Sequence, residues 1–259
     1  KLAQLTSWHS DWASLRVAVL GFAQTGFSVA DTLAELGAHV VVCAREYDKQ
    51  HVLLAEVIGV TLITDDSQHG VPKNLVNFQP ELIVVSPGFS PQNPLVAWAK
   101  NAGIPMWSDI ELAWRLRDKL GKPAEWITVT GTNGKTTTTT LVGELLKDAG
   151  LPTQVGGNIG TPLISLVETS TEDSVTVVEL SSFQLEAVEQ LHINVALLLN
   201  ITPDHLDRYD HQMQNYVDAK FRIIQNQTPD DAFIFWNDDP IIKQELAKRP
   251  LSLYRSCID

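Results

Sequence analysis

The sequence predicts an α/β protein with two parts: a Rossmann-like parallel-sheet domain at the N-terminus, then a central α/β domain built on a P-loop-type turn. Three observations carry this. Short β-branched runs alternate with helical stretches, the pattern of parallel sheets flanked by helices. Two strand–turn–helix units open on glycine turns, Gly21–Gly26 (GFAQTG) and Gly131–Gly134 within TGTNGKTT. The 259 residues, 44% hydrophobic and 19% charged, are enough for two soluble cores.

The first series begins with Arg16–Leu20 (RVAVL), followed by a helix over Thr25–Leu36 that Gly37 stops. His39–Cys43 (HVVVC) and Leu82–Val85 (LIVV) read as buried strands, the latter closed by Ser86-Pro87-Gly88. Pro94–Ala102 is expected as a helix and Ile104–Met106 as a short extended piece. Arg115–Pro123 (RLRDKLGKP), charged and then broken by Gly and Pro, is a linker candidate. The second series has strands at Trp126–Thr130, Ser174–Leu180, Asn194–Ile201 and Ala232–Trp236. A helix is expected to about Asp148, another over Gln212–Gln227, and an extended run from Leu251 to Asp259.

The formal charge of −12 argues against broad nucleic-acid binding, which needs a basic field, but not against anions held locally at helix N-termini. Cys43 and Cys257 are too few for a four-thiolate zinc site or a disulfide framework. Apolar runs such as Val195–Leu199 are too short to span a bilayer, and the N-terminus lacks the apolar stretch of a signal peptide. No membrane insertion is expected, and a reducing cytoplasm is the expected compartment.

TGTNGKTT follows a buried strand and opens a helix, the context a phosphate loop requires. Backbone N–H groups, the helix dipole and Lys135 would face a polyphosphate, with the Thr136 hydroxyl on Mg²⁺. The match to the full P-loop pattern is incomplete, because Val129 occupies the first glycine position. The topology places Glu179 and His205 on the same strand edge as Lys135, a donor set suited to a cation beside phosphates, although taken alone Glu179 also reads as a solvated strand end and His205 as a loop residue. Lys220 falls within the apolar stripe Met213, Tyr216, Val217, Ile224. Three readings stand for it: snorkelling, a salt bridge to Asp218 or Glu245, or an amine pointing into the site.

In the first domain, Ala23 replaces the second glycine of the dinucleotide fingerprint. Cys43-Ala44-Arg45 stands where an acidic residue would bind a ribose diol. NAD is therefore not expected. A phosphorylated ligand near Gln24, Thr25, Arg45 and Ser86–Gly88 is, although Arg45 alone also reads as a surface cation.

TGTNGKTT, GGNIG (Gly156–Gly160), ELSSFQLE (Glu179–Glu186) and NITPDHLDRY (Asn200–Tyr209), with SDIELAW (Ser108–Trp114), together resemble the Mur ligase family from about Arg16 to Asp239. The resemblance implies a cytoplasmic, monomeric ATP- and Mg²⁺-dependent ligase of peptidoglycan synthesis. In the branch it most resembles, ATP phosphorylates the carboxylate of UDP-N-acetylmuramoyl-L-alanine and the amine of D-glutamate displaces phosphate. It implies a UDP-substrate domain over 1–112 and an incomplete ATP domain over 113–259, with a C-terminal amino-acid-binding domain missing. A fragment that binds the UDP substrate but turns over little is the expectation.

By motif, Lys135, His205 and Lys220 are the implied catalytic residues, and Gly131, Thr132, Asn133, Gly134, Lys135, Thr136, Thr137 and Asn237 the implied ATP site. Thr136, Glu179, His205 and Lys220, the last as a carbamate, are the implied metal ligands. Asn158, Ser181 and Gln184 are implied to contact muramoyl-alanine, and Gln24, Thr25, Arg45, Ser86, Pro87 and Gly88 the uridine diphosphate. Ala23 is expected to shift the uracil contacts slightly. The rivals are another ligase of this superfamily, such as one acting on folates, a P-loop kinase or switch, and a non-catalytic UDP-sugar-binding module.

Overall fold

The computed structural model describes residues 2–86, 88–90, 92–248 and 257–258. The chain divides into two compact units, Lys1–Leu116 and Arg117–Asp259.

The first unit runs β1 (Arg16–Leu20), α1 (Gln24–Glu35), β2 (His39–Ala44), α2 (Lys49–Ile58), β3 (Thr61–Thr64), α3 (Lys73–Phe78), β4 (Leu82–Val85), α4 (Pro94–Asn101), β5 (Met106–Ser108) and α5 (Asp109–Leu116). Its sheet has the order β3-β2-β1-β4-β5, every pair parallel. The expected strands at β1 and β4 fall on the observed bounds. Three elements after β2 (α2, β3 and α3) and α5 after β5 went unread in the sequence. The extended piece expected at Ile104–Met106 begins only at Met106. Pro105 has no N–H to give the ladder, and its carbonyl accepts from Ile83 N at 2.9 Å.

The unit boundary follows Leu116 rather than residue 112, because α5 is continuous through that point. Eight consecutive residues of α5 are buried. Arg115 and Glu111 pair there at 2.8 Å in the interior. Arg115 lies 3.9 Å over the Trp107 ring and donates to Leu5 O at 3.0 Å, which fastens the N-terminal segment.

Asp109 is also buried, and its Oδ1 has no hydrogen-bond partner. Burial pushes its carboxyl up to about 7 from 3.8. Between those two pH values the folded chain binds more protons than the unfolded one, so this group makes stability fall as pH rises. We expect Asp109→Asn to raise the urea midpoint at pH 8 by the equivalent of roughly 2 kcal/mol and by much less at pH 4. Equal midpoints of variant and parent at both pH values would contradict this.

The second unit runs β6 (Glu125–Thr130), α6 (Lys135–Asp148), β7 (Thr153–Gly157), α7 (Leu163–Val167), β8 (Val175–Glu179), α8 (Ser182–Glu186), β9 (Val195–Leu198), α9 (Met213–Phe221), β10 (Ala232–Trp236), α10 (Pro240–Leu246) and β11 (Cys257–Ile258). The sheet order is β11-β10-β9-β6-β8-β7, again parallel throughout. α6 packs on β6, β7 and β8. Trp126, Val129, Val177, Val178, Ala196, Leu198 and Phe233 form the buried interior of the strands. Each large apolar side chain so placed contributes about 1.5–3 kcal/mol.

Three expectations change here. The strand expected over Asn194–Ile201 ends at Leu198, and Leu199–Ile201 turn toward the phosphate loop. The helix expected over Gln212–Gln227 is α-helical only to Phe221 and tightens to a 3₁₀ turn at Arg222–Ile224. Of the extended run expected from Leu251, only 257–258 lie within the described residues, as β11.

β6 is the topological switch point: the chain leaves it for β7 beyond one neighbour, β8, and later returns to its other neighbour, β9. Ligands bind outside the carboxyl ends of strands at such a point. The segments after β6, β8 and β9 therefore define where to look.

Candidate functional site

The loop after β6 is set by backbone chemistry. Gly131 has φ +156, and a Cβ there would meet Leu199 Cβ at 3.0 Å and Asn200 N at 3.3 Å, so a side chain would be strained in backbone and crowded by its neighbours. Asn200 clips the loop: its Oδ1 accepts from Asn133 N at 2.9 Å, its Nδ2 donates to Asn133 O at 3.1 Å, and its carbonyl accepts from Thr132 N at 2.9 Å. The Thr132 hydroxyl accepts from Thr202 N at 3.0 Å and lies 3.0 Å from the Tyr216 hydroxyl. Gly134, in the left-handed region with φ 83, starts α6, and no side chain caps that helix. Its free N–H groups and dipole suit an anion.

Lys135 folds back over the loop and donates to Gly131 O at 3.1 Å and Thr132 O at 2.9 Å. Lys220, 1% exposed, donates to the same Gly131 carbonyl at 2.8 Å and lies 4.8 Å over the Tyr216 ring. Both other readings of Lys220 therefore fail. Its amine does not reach water, and Asp218 and Glu245 accept from Gln214 instead. Burial, then the neighbouring Lys135 charge, pulls the Lys220 amine down to about 7; Asp204 opposes this.

Glu179, buried at the end of β8, accepts from Thr136 Oγ1 at 2.8 Å and from Asn158 Nδ2 at 3.1 Å. Thr136 and Glu179 thus present hard oxygens side by side at the helix start. Thr137 is exposed one residue later.

A cleft of about 170 Å³ is lined by Lys135, Asn158, Ser181, His205 and Lys220, together with Ser182, Phe183, Asp204 and Tyr216. Lys135 and His205 thus face one space. The sequence gives no sign of the last four as cleft residues: its spacing marks Tyr216 only as part of an apolar stripe, and Asp204 only as the carboxylate next to His205.

Thr136 and Glu179 do not line this cleft, and in the second unit Gln184 and Asn237 lie outside both the cleft and the loop. Gln184 is 2% exposed and does not line the cleft; its Oε1 accepts from Ser181 N at 3.1 Å, closing a capping box at the start of α8. It positions Ser181, and the Ser-x-x-Gln spacing was the signal for that. Asn237 follows β10 and is half-buried, outside the cleft. Beside it, Asp239 accepts from Ile201 N at 2.8 Å and caps α10.

In the first unit, Gln24 and Thr25 start α1, whose N-cap, Ala23, has extended backbone and makes no side-chain cap. Ser86 N donates to Leu20 O at 3.2 Å. A Cβ on Gly26 would come within 2.2 Å of Gly21 O, which is why the turn keeps glycine there while tolerating Ala23. Arg45 is exposed after β2, Gly88 is exposed after β4, and Pro87 lies outside the described residues. Tyr47 donates its hydroxyl toward Val42 O and Ile63 O, 2.8 Å from each, and accepts from Ala44 N at 2.8 Å, sealing the ends of β2 and β3.

The model of the Mur ligase middle domain matches residues 129–257, the span that carries the whole cleft. The chain belongs to the Mur ligase family. It is 47% identical over 237 residues to the UDP-N-acetylmuramoylalanine–D-glutamate ligase of Leifsonia xyli subsp. xyli, covering 87% of this chain and 46% of that protein. The enzyme of the same name from Bacteroides thetaiotaomicron is 54% identical over 172 residues, covering 66% of this chain and 37% of that protein.

Among solved structures, a UDP-N-acetylmuramate:L-alanyl-gamma-D-glutamyl-meso-diaminopimelate ligase from Neisseria meningitides superposes with TM-score 0.60 at 17% identity, covering 94% of this chain and 78% of that one. A murein peptide ligase from Psychrobacter arcticus gives 0.53 at 20%, covering 91% and 52%. These distant likenesses speak for the fold. The chain spans about half the length of the curated relatives it matches.

Proposed function

We propose that this chain carries the nucleotide- and UDP-substrate-binding units of a ligase that joins D-glutamate to UDP-N-acetylmuramoyl-L-alanine, in the cytoplasm. The observation that supports it most is the convergence of Lys135, Asn158, Ser181, His205 and Lys220, from four separate chain segments, on one cleft. The curated relatives point to the same reaction by name.

A carboxylate is a poor electrophile, and phosphorylation gives it a leaving group. The loop Gly131, Thr132, Asn133, Gly134, Lys135, Thr136, Thr137 grips the triphosphate through N–H groups and the Lys135 ammonium. As it does so, Lys135 exchanges its two carbonyl partners for phosphate oxygens. Asn158 and Ser181, in the same cleft, orient the acid to be activated. Gln24, Thr25, Ser86, Gly88 and Arg45 of the first unit take the uridine diphosphate, and Asn237 the nucleotide base.

The donor set fits magnesium. Among the described residues no three His, Cys, Asp or Glu side chains cluster as a metal cage. Mg²⁺ suits such a place, because it takes one carboxylate and one hydroxyl and fills its shell with phosphate and water. Thr136 and Glu179 would hold one ion. His205 and Lys220 would hold a second after the uncharged Lys220 amine adds CO₂, forming an N–C bond and releasing a proton to give a carbamate. Bound magnesium supplies charge stabilisation for the transferring phosphoryl group.

Calorimetric titration of the chain with Mg²⁺–ATP and, separately, with UDP-N-acetylmuramoyl-L-alanine tests this. Both are expected to bind, and a folate is not. Binding of folate with no response to the UDP-sugar would transfer the chain to the folate-type ligases. Binding of neither nucleotide ligand would end the proposal.

A further inference from the structure

Among the described residues, His205 has no short hydrogen-bond anchor for its place in the cleft. Its side chain is 58% exposed, and its ion-pair contact, Asp204 Oδ2, is 3.5 Å away. Its backbone sits in the left-handed region at φ 49, a conformation a non-glycine residue keeps only when its surroundings impose it. The Phe183 ring lies against the imidazole, at 5.3 Å between centroids and tilted 58°. Phe183 is covered in turn by the Arg208 guanidinium, 4.0 Å from its centroid. Arg208 is held by Glu186, whose Oε2 accepts from Nε at 3.2 Å and from Nη2 at 3.0 Å.

The arrangement closes on itself. Phe183 and Glu186 lie three residues apart on α8 and so share a helix face. Arg208 N donates to His205 O at 3.0 Å, within the 3₁₀ turn that His205 begins. The loops after β8 and β9, separated by β6 in the sheet, are thus tied together.

We infer that Glu186 and Arg208 are positioning residues, which hold the His205 imidazole in the cleft by pressing the Phe183 ring against it. This rests on the ligase reading insofar as it gives His205 a cation to face. Arg208 acts as a plane: its guanidinium both stacks and takes the carboxylate, which an ammonium cannot do.

The test uses the whole chain with isotope-labelled histidine. The His205 ring signal is assigned by its disappearance in His205→Gln. In the parent, the Phe183 ring current displaces that signal from the position of a free histidine. Arg208→Ala and Phe183→Leu are expected to abolish the displacement, and Glu186→Gln and Arg208→Lys to reduce it. The signals of His9, His39, His51, His69 and His192 stay in place and report an intact fold. The Mg²⁺–ATP concentration for half-maximal response of His205 is expected to rise about tenfold in Arg208→Ala, the lower end of what losing an orienting partner costs a ligating histidine. An undisplaced His205 signal in the parent, or one unchanged in Arg208→Ala and Glu186→Gln, overturns the inference. If Arg208→Ala fails to fold, Arg208→Lys and Glu186→Gln decide it. A parent whose His205 ignores Mg²⁺–ATP counts against the ligase reading, while the displacement still judges the bracket.

Discussion

Lys135→Ala is expected to weaken Mg²⁺–ATP binding by more than about a hundredfold, because two charge-assisted hydrogen bonds at about 1.5–3 kcal/mol each leave together. The structure explains why so much rests on one side chain. The loop N–H groups and the start of α6 supply partial charge, while Lys135 brings a side-chain cation bonded to two of the loop's carbonyls, against the single one that Lys220 reaches. It already lies over Gly131 and Thr132, so little chain entropy is lost when phosphate replaces the two carbonyls. Lys135→Arg is expected to rescue poorly, because a planar fork does not reproduce a compact ammonium on a short loop. Thr137→Ala, at an exposed position, should cost far less. Equilibrium dialysis with labelled ATP separates these outcomes, and equal affinity of Lys135→Ala and parent would refute the assignment.

Lys220→Met is expected to stabilise the chain strongly at pH 6 and hardly at all at pH 10. The amine falls from 10.5 to about 7 in the fold, mainly through burial. Between those values the unfolded chain binds more protons, so the parent gains stability as pH rises through that window, and below 7 the whole penalty is present. A shift of that size corresponds to several kcal/mol. The substitution orphans no acceptor, because the Gly131 carbonyl keeps Lys135 at 3.1 Å. The same variant should lose the carbamate signal that ¹³C-bicarbonate is expected to give in the parent above about pH 7. Urea midpoints at the two pH values in degassed buffer measure the first effect. A variant less stable than the parent at pH 6 would show that Lys220 is a stabilising cation rather than a stored reactive amine.

The legible parts of this molecule were those with local causes. β1, β4 and β10 stand out because each is a continuous β-branched or aromatic run closed by a turn, and all three were read at their observed bounds. α2 was invisible for the opposite reason. Only Ala55 is buried along it, while Val52, Leu53 and Val57 face water, so no apolar stripe marks it. The phosphate loop was readable as a motif, yet the clip that shapes it, Asn200, is 67 residues away. The burial of Lys220 could be suspected from its stripe, but its partner is a backbone carbonyl 89 residues distant, and sequence carries no sign of which carbonyl a fold will leave there. Gln184 carries a local rule too: its capping role is written in the Ser-x-x-Gln spacing and needs no distant partner.

The turn after β6 is expected to be a triphosphate site. A crystal structure of this chain with a non-hydrolysable ATP analogue and Mg²⁺ measures that directly. The prediction is triphosphate density along residues 131–137, the Lys135 amine moved from its carbonyls onto phosphate oxygens, and a cation at Thr136 and Glu179. Nucleotide bound elsewhere, with Lys135 still folded onto Gly131 and Thr132, would contradict it.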